Sequence, residues 1–86
     1  MASIQEMVNA AHSIKMTSEQ LAQMSGMASQ ALQQKGSEIA SIVRGSSTGQ
    51  EAVQAVSVAA RSLANAAASM RSLERACESC IANLTK

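Results

Sequence analysis

The sequence predicts an all-α fold: an antiparallel two-helix hairpin that packs with a second hairpin into a four-helix bundle. Three observations carry this expectation. The composition favours helix, apolar residues recur at helical spacing over two long stretches, and one turn signal separates those stretches. Of 86 residues, 47% are apolar, yet the chain has no Phe, Tyr, Trp or Pro. The core is therefore left to Ala, Val, Ile, Leu and Met. Strong helix formers dominate, while the aromatic and turn residues of a β fold are sparse. A chain of this length forms one domain, residues 1–86.

The first helix is expected over about 3–44. Ser3-Ile4-Gln5-Glu6 has the form of a capping box. Positions spaced alternately three and four apart then run Ile4, Met7, Ala11, Ile14, Ser18, Leu21, Ser25, Ala28, Leu32, Lys35, Ile39 and Ile42, interrupted by Ser18, Ser25 and Lys35. Gly26 and Gly36 weaken this helix, each by about 1 kcal/mol against Ala. A kink or fray is expected around Gln34-Lys35-Gly36-Ser37. Thr17 to Gln20 resembles a further capping box, which makes Met16-Thr17-Ser18 an alternative break.

The turn is expected at 45–48. Gly45 suits the left-handed residue that ends a helix, and Arg44 suits the negative end of its dipole. Thr48-Gly49-Gln50-Glu51 reads as a capping box with Thr48 as N-cap and Glu51 at the third helical position. The second helix then spans about 49–83. Its seam reads Val53, Val56, Ala60, Leu63, Ala67, Met70, Glu74, Cys77, Ile81 and Leu84, with Glu74 the one interruption. Two helices of roughly 60 and 50 Å joined by a short link favour an antiparallel hairpin.

One hairpin seam seldom offsets the entropy of ordering so many residues, so a partner is implied. Apolar residues beyond the seams supply the surface for it. Met16, Met24, Met27 and Ala31 form a looser stripe on the first helix, and Ala59, Ala66 and Leu73 widen the apolar face of the second. These seven are the expected partner-binding residues. Methionine suits such a surface because it is flexible and tolerates an imperfect fit.

Several function classes are disfavoured. The net charge of +1 creates no broad field for nucleic acid, and no aromatic stacking platform exists. No apolar run approaches the ~18 residues of a membrane span. The N-terminal segment lacks a basic start followed by an apolar block, so a cleaved signal peptide is not expected. The expected location is the cytoplasm, and any export would need a route that uses no cleaved signal. No Ser-His-Asp set can be drawn, because the chain has no Asp, and no phosphate-binding loop follows Gly45 or Gly49. Cys77-Glu78-Ser79-Cys80 is a C-x-x-C, but His12 is the only histidine, and it projects outward while Cys77 faces the seam. Small buried hydrophobes are the expected role of the cysteines, and no cofactor, metal or catalytic residue is expected. Arg71 with Glu74 and Arg75 with Glu78 are expected to pair on the helix surface.

The architecture resembles a known family. Short, Ala- and Gln-rich hairpins that begin Met1-Ala2-Ser3-Ile4 are similar to the WXG family of type VII (ESX) secretion proteins, and to the small WXG-like partners of LXG toxins. Thr48-Gly49-Gln50-Glu51-Ala52-Val53-Gln54-Ala55-Val56 resembles the family's turn, where a Gly precedes an Ala-rich helix. The family's Trp is absent, with Arg44 or Ser47 near its place. So is the Tyr of its C-terminal export signal. The resemblance therefore implies a partner or targeting chaperone, one that binds a helical segment of a secreted effector or a paralogous hairpin. The alternative expectation is a self-assembling coiled coil: a homodimer or a secretion-needle-type subunit.

Overall fold

The computed structural model describes residues 2–86. It contains two long helices, α1 (Ile4–Ile42) and α2 (Ser47–Leu84), and no strand among the described residues. They lie antiparallel along one another in a rod of 62 × 18 × 15 Å. The all-α hairpin expected from the sequence is thus the observed fold.

Ser3 caps α1, its hydroxyl accepting from the Glu6 N–H at 3.1 Å. From there α1 runs unbroken to Ile42, without the kink expected at Gln34–Ser37 or the break at Met16–Ser18. Gly36 is tolerated because it is buried at the helix–helix contact, where Val56 occupies the space above it.

The turn is two residues earlier than expected, covering 43–46. Gly45 holds the left-handed conformation at φ +88°, and the Ser46 N–H donates to the Val43 carbonyl at 3.0 Å. The N-cap of α2 is Ser46, not Thr48: the Ser46 hydroxyl accepts from the Gly49 N–H at 3.1 Å. Thr48 and Glu51 are already inside the helix and exposed. The physical reason is packing at Gly49. This glycine is buried against the Val43 side chain, and a Cβ there would overlap Val43. Bringing Gly49 beneath Val43 requires α2 to start two residues before Gly49.

Along α2 the predicted seam is the observed one. Ala60 and Cys77 are buried and the other members are half-buried. Glu74, which interrupts the apolar pattern, is held in an ion pair with Arg71 at 3.4 Å. Along α1 half of the predicted seam is displaced by one residue. The column Ala11, Ser18, Ser25, Leu32, Ile39 is in the seam, but its companions are Val8, Lys15, Ala22, Ser29, Gly36 and Val43. Ile4, Met7, Ile14, Leu21, Lys35 and Ile42 are instead exposed.

The buried side of α1 is therefore built from small residues. Ser18 and Ser29 are almost fully enclosed. Each hydroxyl is satisfied: Ser18 donates to the Ile14 carbonyl in its own helix at 2.7 Å, and Ser29 donates across the seam to the Ala60 carbonyl at 2.7 Å. Small side chains let the two backbones approach closely, but each contributes little buried area. The buried apolar residues are Val8, Ala11, Ala22, Ala60 and Cys77, none larger than valine.

Candidate partner-binding face

The two edges of the α1–α2 seam differ in chemistry. One edge is marked by the ion pair that crosses it, Lys15 to Glu78 at 3.4 Å. In α1 this edge continues onto His12 and Glu19, and in α2 onto Arg61, Arg71 and Arg75, all exposed. Arg75 donates to Ser72, and Glu78 reaches Lys15 across the seam, so the expected Arg75–Glu78 pair is replaced by an interhelix one. Arg71 and Glu74 do pair as expected.

The opposite edge carries no charge over most of its length. In α1 it is formed by the column Met7, Ile14, Leu21, Ala28, next to Ala10, Thr17, Met24 and Ala31. In α2 it is formed by the column Ala52, Ala59, Ala66, Leu73, Cys80, next to Ala55, Ser62, Ser69 and Ala76. Seven-residue recurrence keeps each column on one side of its helix. Because the helices are antiparallel, the column just before the seam in α1 and the one just before it in α2 border the same edge. They thus form one continuous face. Met7, Ile14 and Leu21 are 41%, 47% and 43% exposed, and Leu73 is 40% exposed. These are large side chains that the chain itself only partly covers.

The expected partner-binding residues divide accordingly. Met24, Ala31, Ala59, Ala66 and Leu73 belong to this face, with Ala66 half-buried where the face meets the seam. Met27 lies at its outer rim. Met16 points around the helix toward the charged side, 63% exposed, and is not brought together with the others. Met7, Ile14 and Leu21 are the members that the sequence reading placed inside the hairpin. The available signal was that the Ala11/Ser18/Ser25 column has apolar or small residues on both flanks, so α1 carries more apolar arc than one partner helix can cover.

The face is high toward the open end of the hairpin, where Leu73 of α2 also stands up, and low toward the turn. Met7, Ile14, Leu21 and Met24 stand up from α1, whereas Ala52, Ala55, Ala59, Ser62 and Ala66 leave α2 low. Toward the turn, on the charged side, a shallow groove of about 450 Å³ opens between the helices. Ala40, Val43, Arg44, Gln50, Val53, Gln54 and Ser57 line it, and Arg44 is its one titratable group. The thiols and the imidazole do not converge: Cys77 is buried in the seam, Cys80 is exposed on the uncharged face, and His12 is exposed on the charged side. Among the described residues, no three His, Cys or Glu side chains are placed to hold a metal ion. No helix of the described residues is long and apolar enough to cross a membrane.

No family model, no curated protein and no solved structure matches this chain.

Proposed function

We propose that this chain is a non-catalytic helical adaptor whose uncharged face binds a helical segment of another protein, completing a four-helix bundle. The observation that supports this most directly is the separation of charge. His12, Lys15, Glu19, Arg61, Arg71, Arg75 and Glu78 lie on one side of the hairpin, while the other side, beyond the Lys35–Glu38 pair near the turn, presents Ile14, Leu21, Met24 and Leu73 among alanines. A hairpin selected only to stay dispersed in water would carry charge on both sides. A seam whose larger side chains are only half-buried, with no fully buried residue larger than valine, also makes a second helical layer energetically valuable. The resemblance to type VII secretion hairpins makes the helical segment of a secreted effector the partner class. The chain then acts as a targeting chaperone for ESX-like export, and it works in the cytoplasm, where that effector is made.

The test is co-purification from the native host with the parent chain, Met24→Glu, Leu73→Glu and Met16→Glu. Met24 and Leu73 are on the face and exposed in the free hairpin, so a Glu there leaves the hairpin helical but strands an unpaired charge in the complex. Met24→Glu and Leu73→Glu should lose a helical effector that the parent and Met16→Glu retain. Equal recovery of one such effector by all four chains would end this reading.

A further inference from the structure

We infer that the partner of this face is a helical hairpin about as long as this one and graded in side-chain size. It carries small residues where it covers the open end, and large apolar residues where it covers the stretch toward the turn. This rests on the adaptor reading and names the partner chemistry that reading leaves open.

The first support is register. Lys15–Glu78, Ser29–Ala60 and Gly36–Val56 fix which residues of the two helices stand level. Leu73 falls between Ile14 and Leu21, so the large exposed side chains Met7, Ile14, Leu21, Met24 and Leu73 gather in the open half. Ala59, Ala55 and Ala52 fall level with Ala31, Lys35 and Glu38, so the turn half is a trough floored by alanine. Ile42, 81% exposed, closes that trough at the turn. Interface cores pack as densely as protein interiors, where large side chains face small ones. A partner with large residues throughout would be held off by Leu21 and Leu73. One with alanine throughout would leave the trough empty.

The second support is area. The open half, Met7 to Met24, is about 26 Å long on a rod 18 Å wide. Covering it alone would bury about 900 Å² in total, short of the ~1,200 Å² of a stable specific interface. Covering the face from Met7 to Ile42 would bury about 1,900 Å² in total. The partner therefore runs over the turn half as well. The third support is charge. Lys35 and Glu38 pair at 3.4 Å and neutralise each other, so the partner brings no net charge to this end. The two side chains are 71% and 64% exposed, and polar groups on the partner replace the water they now bind.

Three designed helical hairpins of this length serve as probes. The first has its large apolar residues in the half near its own loop, the second in the half near its ends, and the third has leucine throughout. The full chain with Cys77→Ala, Cys80→Ala and Ser47→Cys carries a spin label at the turn, and each probe carries one in its loop. The first probe should place its label within about 25 Å of the turn label, as neighbouring helix ends require. The second should place it near the 62 Å length of the rod. The same orientation from both would overturn the inference. The unlabelled parent chain should bind either graded probe about tenfold or more tighter than the leucine probe, the effect of overpacking at Ile14, Leu21 and Leu73. Leu21→Ala with Leu73→Ala should narrow that ratio. Equal affinities in the parent, or no binding by any probe, would overturn the inference. So would a dimer of the chain alone that the graded probes cannot displace, since a second copy would then fill the face. Loss of the grading with an effector still recovered in co-purification would remove this inference and leave the adaptor reading standing.

Discussion

The Ser29 hydroxyl donates a 2.7 Å hydrogen bond to the Ala60 carbonyl on the facing helix. Few side chains other than serine have a hydroxyl on so short an arm, and the bond forms only where the two backbones are nearly in contact. It fixes the axial register of the hairpin at one point, between the Gly36–Val56 contact on the turn side and the Lys15–Glu78 pair toward the open end.

Shortness, more than polarity, is what the site requires. Ser29→Ala should cost about 1 kcal/mol, the net worth of one hydrogen bond. Ser29→Leu should cost about 1–3 kcal/mol through overpacking. Denaturant midpoints of the two variants measure the difference, and a Leu variant as stable as the parent would show that the helices are not in close contact here.

The glycines are not equivalent. A methyl group at Gly26 meets nothing within 4 Å, so Gly26→Ala should raise stability by about 0.5–1 kcal/mol by restricting the unfolded chain and favouring helix. Gly49→Ala would overlap Val43 and should destabilise by about 1–3 kcal/mol. Thermal melts followed by circular dichroism should move in opposite directions for the two variants.

The cap of α2 can be located by mutation. Ser46→Ala removes the acceptor for the Gly49 N–H and should cost about 1 kcal/mol. Thr48→Ala, two residues on and exposed within the first turn, should stay within about 0.5 kcal/mol of the parent. Reversal of that order would return the N-cap to Thr48.

Leu21 and Ala22 are neighbours in sequence with opposite roles. Ala22 is almost fully buried in the seam and Leu21 borders the outer face. Ala22→Leu should open the hairpin, at about 1–3 kcal/mol. Leu21→Ala should change the stability of the isolated hairpin by about 1 kcal/mol or less, with its main effect on association. Helicity measured at high dilution, beside the association midpoint, separates the two effects.

The whole of the α2 seam was legible, because its large apolar residues, Val53, Val56, Leu63, Met70 and Ile81, fall on one face with alanines beside them. The α1 seam was half legible. Hydropathy pointed to Met7, Ile14 and Leu21, but the hairpin closes on Ala22, Ser29 and Gly36. An apolar arc wide enough for two partners does not say which half faces which one. That choice depends on the volume the facing helix leaves free, and the Val56 side chain above Gly36 shows how little it leaves. The same limit hid Ile14 and Leu21 from the candidate face. At the turn, Ser46 and Thr48 are both competent caps, and a following Glu51 favoured the wrong one. The contact that decides between them, Gly49 beneath Val43, lies in tertiary structure.

The uncharged face also has a kinetic consequence. A partner approaching it meets little electric field that would orient the encounter, because most formal charges stand on the far side of the rod, and Lys35 and Glu38, at the turn end of this face, pair with each other. Association should therefore proceed at the unassisted rate of docking two patches, about 10⁵–10⁶ M⁻¹s⁻¹, and should change little between low and high ionic strength. Discrimination among partners is then left to how long each complex lasts, which depends on how well the other surface fills the low stretch toward the turn and accommodates the high one at the open end.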